Sequence, residues 1–216
     1  MSSPSEPREP LSATRVVEAA LRLVDRDGLE QLSMRKLGRE LGVEAMALYH
    51  YFPSKEALLD ALVERVVAEM EPPPGDGTWD ERLRATLRSY RRLSHAHPNV
   101  FPLLGRRSVR GAEGLQPVEW ALDLLRGAGL DPRETLAAFR TLSSYAFGYA
   151  LSEAWGFALE PTADGPSRFD IRTVDPARFP RMREVAPHLV ACDHDAEFER
   201  GLDLIISGLR AQLATS

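Results

Sequence analysis

A single cysteine, Cys192, stands among 216 residues and leaves no partner for an intrachain disulfide. That removes stapled secreted scaffolds from consideration and fits a reducing, cytoplasmic setting. Long apolar runs are missing too. The most apolar window, 141–159, is interrupted by Ser143, Ser144, Ser152 and Glu153, so a buried helix is expected there and not a membrane span. The start, MSSPSEPREP, is polar and proline-rich. It holds no apolar signal segment, and residues 1–11 are expected to form a disordered tail. Excess positive charge is absent as well: 27 Lys and Arg stand against 32 Asp and Glu, a net charge of −5. This excludes a broad basic surface for nucleic acid and leaves only a local cationic face. No partnered nucleophile and base or phosphate loop stands out, so no enzyme is expected. His188, Cys192 and His194 are metal-ligand types, but Asp193, His194 and Asp195 read as the cap of a final helix; neither metal nor cofactor is predicted.

What remains is helix. With 44% hydrophobic and 27% charged residues, the composition suits a globular protein with a sizeable core, and no strand alternation or internal repeat is visible. The most informative stretch is SMRKLGRELGVEAMALYHYFPSK, from Ser33 to Lys55. Ser33 is an N-cap type, and Met34, Leu37 and Leu41 share one helical face. Gly42 follows as a left-handed stop. Val43 and Leu48 can bury against that face, which leaves residues 44–47 as the exposed first turn of a second helix. Pro53 disfavours helix at Phe52, and Ser54 opens the next helix with Glu56 in its first turn. Two short helices, a tight turn and a stop make a helix-turn-helix, whose second helix enters the DNA major groove. The first 70 residues hold nine Lys and Arg against twelve Asp and Glu, yet within the motif Arg35, Lys36, Arg39 and Lys55 face only Glu40 and Glu44.

Around the motif, a first helix runs from a cap near Ser12 to Gly28, and a fourth from Lys55 to about Met70. The run EPPPGDG, residues 71–77, is the clearest break. The expected organisation is a helix-turn-helix domain over 12–70 and an effector-binding and dimerisation domain over 78–216. In the latter, helices are expected from Trp79 to His97, from about Pro117 to Ala128, and from a strong start at Asp131 to about Phe157. A loop follows from Leu159 to Pro180, a hypothetical lid. A helix near Arg181–Val190 and a last one from about Asp195 to Leu213 complete an all-α architecture.

Residues 12–70 resemble the tetracycline-repressor family of bacterial transcription regulators, through LGV, LYHYF and SKEALLDAL. The C-terminal part is similar to the tetracycline-repressor branch, through WDERL from Trp79, His97-Pro98, residues 142–153 with Gly148, and FERGLDLIISGLRAQL from Phe198. The resemblance implies a homodimer that binds a palindromic double-stranded DNA operator, with an effector pocket in each subunit that releases DNA when filled. Carried over by position, Ser33 and Arg35 belong to the DNA-contacting set. Ala45, Met46 and Ala47 occupy the groove-facing turn, and Tyr49, His50, Tyr51 and Lys55 are placed for base and phosphate contacts. Arginine grips guanine bidentately, and small or apolar side chains suit a thymine methyl.

The pattern also departs from the family. The magnesium-binding histidine of tetracycline-binding members aligns with Leu104, a second drug-contacting histidine with Glu71, and an asparagine with Thr86; the aromatic one turn later persists as Tyr90. Without that imidazole, a magnesium–tetracycline chelate is not expected to be held in the same way. Tyr90, Leu104, Trp120, Phe139, Tyr145, Tyr149 and Glu153 are the candidate effector-site residues, with Arg91, Arg106 and Arg107 as further polar candidates. On the last helix, Gly201, Leu202, Ile205, Gly208 and Leu209 are expected at a dimer bundle. The sequence-level alternative is a small-molecule-binding bundle with a non-functional DNA head, which the net acidity permits.

Overall fold

The computed structural model describes residues 10–157, 171–191 and 193–215, and among these all regular structure is helical. The chain divides into two compact units: residues up to 70 together with 96–117, and 71–95 together with 118–216. The expected lid falls largely on 158–170, outside the described residues, as do Cys192 and most of the expected tail. No described helix is long and apolar enough to cross a membrane.

The first unit follows its sequence signals closely. Helix α1, Ala13–Asp27, starts at Ser12, whose Oγ accepts from the Arg15 amide at 3.2 Å. Helix α2, Met34–Leu41, is capped in the same way by Ser33 and ends at Gly42, whose φ of 68° is the left-handed geometry that glycine tolerates. Helix α3, Ala45–Tyr49, is a single short turn and a half. The Tyr51 and Phe52 amides both return to the Leu48 carbonyl at 3.0 Å, and Ser54 caps α4, Lys55–Val67. Val16, Ala20, Val24, Leu37, Leu48, Leu58, Leu62, Val63 and Val66 are fully buried. Each such valine or leucine contributes roughly 1.5–3 kcal/mol of burial. The core is completed from outside the head: Val100 and Phe101, from a 3-10 turn at Phe101–Gly105, are equally buried.

The returning segment is also fastened by charge. His97 lies between Asp25 on α1 (2.9 Å) and Glu69 just after α4 (2.8 Å), and Asn99 donates to the Val24 carbonyl at 3.0 Å. Arg107 pairs with Glu56 and Asp60 on α4. Glu64 accepts from the amides of Arg110 and Gly111 at 2.9 and 2.8 Å. This last contact explains a difference from the sequence reading. Helix α6 spans Ala112–Gly127 and carries Pro117 within it, although the sequence pattern places its start at about Pro117. The start moves forward because a glutamate 46 residues earlier satisfies the orphan amides at its entry.

The second unit contains most of α5 (Trp79–Ala96), the rest of α6, α7 (Pro132–Trp155), α8 (Pro180–Val185) and α9 (His194–Thr215). The α7 start is as the sequence specifies: Asp131 accepts from the Glu134 amide at 2.8 Å, with Pro132 in the first position. Leu83, Leu87, Leu124, Leu125, Leu142, Ala146, Phe198, Leu202 and Ile206 form the core where α5, α6, α7 and α9 meet. The sequence stretch expected as a helix near Arg181–Val190 is α8 followed by a 3-10 turn, Ala186–Ala191.

Candidate DNA-binding face and effector region

The helix-turn-helix is held from below by hydrocarbon, which leaves its outer residues unneeded for packing. Leu48 is the buried residue of α3. Gly38 sets the spacing of the two motif helices: a Cβ there would lie 2.8 Å from the Val43 carbonyl oxygen and 3.3 Å from the Ala45 amide nitrogen. The outer face presents Arg35, Met46, Tyr49 and His50, all exposed, with Ala45, Ala47 and Lys55 half-buried. Among the described residues no ion pair engages Arg35, Arg39 or Lys55. Lys36 differs: its ammonium is 2.8 Å from Asp27, and Arg26 joins Asp27 to Glu40. Arg26 is the first cause of an Asp27 carboxyl held well below the usual carboxylate range, and Lys36 the second.

Two of the residues selected from sequence have structural duties. Ser33 spends its hydroxyl on the α2 cap (3.2 Å to the Lys36 amide). The Tyr51 hydroxyl donates to the Leu11 carbonyl at 2.7 Å, tying the end of the motif to the chain before α1. Nothing in the local pattern of YHYF signals that second bond, because its acceptor lies 40 residues away.

In the second unit, Tyr145, Tyr149 and Glu153 come together one helical turn apart on α7. The Tyr145 and Tyr149 hydroxyls donate to the carbonyls of Phe198 (3.0 Å) and His194 (3.1 Å) at the start of α9. Both rings pack on Phe198, with centroids 5.5 and 5.3 Å away. Burial pushes the Tyr145 phenol up, and that of Tyr90 as well. Glu153 grips Arg91 of α5 bidentately at 2.6 and 2.8 Å. The remaining arm of Arg91 reaches Asp195 of α9 at 2.7 Å, and its guanidinium lies 4.9 Å above the Phe198 ring. Only 7% of Arg91 is exposed. Burial alone would raise the Glu153 carboxyl, but Arg91, then His95 at 3.1 Å, outweigh it and hold it below its usual range. One ion cluster therefore joins three helices.

Beside this cluster is a cleft of about 550 Å³ lined by Arg88, Arg91, Arg92, His95, Asp195 and Glu199. Its basic side chains are all engaged: Arg88 with Glu199, Arg92 with Glu71, and the His95 ring with Glu153. The surface is thus balanced rather than anion-collecting. Sequence reasoning named Arg91 and Glu153 but missed His95, Asp195 and Glu199. The available signal was the spacing 88, 91, 92, 95 on one face of α5.

Phe139 and Tyr90 pack against the core as partly buried aromatics, Trp120 is half-buried on α6, and Leu104 belongs to the first unit. Arg107, a polar candidate in the sequence, is committed to α4, and Glu71 and Thr86 are likewise taken, the latter by the Arg82 carbonyl at 3.1 Å. Among the described residues no cluster of three or more metal-ligating side chains converges. On α9, Leu202 is wholly buried inside the unit, and Ile205 and Leu209 pack against the same core. Gly201 accommodates Tyr145, whose hydroxyl would lie 2.0 Å from a Cβ at that position. Gly208 is exposed, next to Leu204 at 73% exposure.

Comparison with known proteins agrees along most of the chain. Residues 16–62 match the model for bacterial regulatory proteins of the tetR family, and residues 71–213 that for the tetracyclin repressor-like C-terminal domain. The transcriptional repressor DrrR1 of Streptomyces coeruleorubidus is 33% identical over 96% of this chain and 80% of its own length. The class A tetracycline repressor of Escherichia coli, from transposon 1721, is 33% identical over 92% of this chain and 90% of its own. The crystal structure of ActR from Streptomyces coelicolor in complex with actinorhodin superposes with a TM-score of 0.80, at 29% identity, covering 95% of this chain and 99% of that one. The chain belongs to the tetracycline repressor family of bacterial transcription regulators.

Proposed function

We propose that this protein represses transcription by binding a palindromic operator as a homodimer, and that a small molecule filling the C-terminal unit of each subunit releases it. The observation that carries this reading is the helix-turn-helix with its outer side chains spared from packing. Arg35, Ala45, Met46, Ala47, Tyr49 and His50 meet base edges, while Lys55 and the backbone at the Ser54 cap meet phosphate. Ser33 and Tyr51 act in the same interface by holding α2 and the motif's end in place.

One short recognition helix reads too few bases for specificity, so a second copy is required, with half-sites about 34–36 Å apart or a multiple of that. The dimer face is the exposed side of α9, with Leu204 and Gly208, alongside the exposed side of α7, with Leu136, Gly148 and Trp155. Gly201, Leu202, Ile205 and Leu209 support it from within.

The effector occupies the aromatic region of Tyr90, Trp120, Phe139, Tyr145 and Tyr149, with Glu153 at its polar edge. The TetR family protein ActR has been solved in complex with actinorhodin, which supports a small-molecule effector here. With Leu104, Glu71 and Thr86 at the aligned positions, a magnesium–tetracycline complex is disfavoured. Release requires an effector that binds the DNA-incompetent arrangement more tightly, so operator DNA must weaken effector binding by the same factor.

Selection of bound fragments from a random DNA pool with the purified protein tests the reading. An enriched palindrome with two half-sites is expected. No enrichment at low salt from a folded dimer would favour a ligand-binding bundle whose head is inert.

A further inference from the structure

We propose that Met46 fixes one base of each operator half-site, and that this base is thymine, read through its 5-methyl group. The inference rests on the DNA-binding reading above and names what that face recognises. The exposed first turn of α3 presents Ala45, Met46 and Ala47, and none of these side chains carries a hydrogen-bond donor or a strong acceptor. Met46 is 72% exposed, well beyond Tyr49 (42%), Tyr51 (39%) and Leu115 (47%), the other large apolar side chains exposed among the described residues of the first unit. A long thioether held in water at the tip of the recognition element gains by burial only against a partner.

Its position is fixed rather than loose. The close approach at Gly38 seats the turn before α3 on α2, and Leu48 anchors the other side of the same short helix. Ala45 and Ala47 are too short to reach past Met46, so it is the apolar group that protrudes. In the major groove every base edge is marked by donors and acceptors except for one apolar mark, the thymine methyl. A methionine set against the amino group of cytosine or adenine, or the acceptors of guanine, would dry those groups without pairing them, which is unfavourable. Against a methyl it buries hydrocarbon on both sides, and its unbranched, polarisable chain adapts to the groove. Discrimination at this step therefore comes from a hydrocarbon contact.

The test uses the full-length protein and the selected operator. Each thymine of a half-site is replaced singly by deoxyuridine, which removes only the methyl group. At one position wild-type affinity should fall about fourfold, and about fifteenfold when both half-sites are changed, as expected for one buried methyl per site. Met46→Ala should bind the thymine and uracil operators equally, and Met46→Leu should keep most of the distinction. Equal wild-type affinity for every uracil-substituted operator would overturn the proposal. So would a loss that persists undiminished in Met46→Ala, since the methyl would then be read by another side chain. Failure to select any operator would be a different result: it would remove the DNA-binding reading itself.

Discussion

The two units of this chain bury opposite things. The head buries mainly hydrocarbon and pairs Arg26, Asp27, Lys36 and Glu40 at its rim, with His97 between Asp25 and Glu69 as its more enclosed polar contact. The second unit buries an ion cluster, with Arg91 almost enclosed between Glu153, Asp195 and two aromatic rings. The difference bears on how function and stability are divided. In the head, the residues proposed to meet base edges are not those that hold the fold, which Ser33 and Tyr51 do instead, so recognition can change while the scaffold stays. In the second unit, Tyr145, Tyr149 and Glu153 are at once candidate effector contacts and the struts between α5, α7 and α9.

The contrast is sharpest if charge is removed from the second unit. Glu153→Leu leaves the buried Arg91 with only the exposed Asp195 as counter-ion and should cost about 3 kcal/mol. All three tryptophans, Trp79, Trp120 and Trp155, lie in this unit, so the loss should appear in the fluorescence melting transition. The same cluster makes this unit acid-sensitive. Because Glu153 titrates below its ordinary value in the fold, its contribution is complete above the unfolded carboxylate value and disappears as pH falls through the folded one. Asp80, lowered chiefly by its bond to Arg210 at 2.5 Å, adds in the same direction. Tryptophan-detected stability should therefore decline below about pH 4.5, and Glu153→Leu should flatten that decline. An unchanged acid profile in the variant would separate the cluster from the pH response.

Leu48→Ala, similar in effect, removes the buried anchor of α3 and should cost about 3 kcal/mol by cavity formation. It should lower the far-ultraviolet transition while tryptophan fluorescence keeps its midpoint. A joint shift of both signals would mean that the two units unfold as one. Smallest, Ser33→Ala deletes the α2 cap and should cost about 1 kcal/mol, visible in a denaturant titration of the head. No measurable change would mean that solvent replaces the Ser33 hydroxyl at the Lys36 amide without loss.

How much was legible beforehand follows the same division. Local devices in the head were readable because their partners are near in sequence: Ser12, Ser33 and Ser54 cap helices three residues on, and Gly42 ends α2. Long-range polar contacts were not. The Tyr51 bond to Leu11, the Glu64 cap of α6 and the Arg91 cluster join residues 40, 46 and 62 to 104 positions apart, and no periodicity encodes such pairs. On α9 an apolar stripe and two glycines were visible, but periodicity cannot separate the face turned inward from the one turned out. Leu202 packs within the unit and Leu204 is exposed.

The head is proposed to read DNA with side chains its fold does not need. The most direct test is titration of the selected operator with wild type and with Arg35→Ala combined with Tyr49→Ala, melting both proteins in parallel. An affinity loss of at least about tenfold is expected, from roughly 1–3 kcal/mol per lost base contact, with both melting transitions within about 0.5 kcal/mol of wild type. Operator affinity that survives the double substitution in a folded protein would contradict that reading.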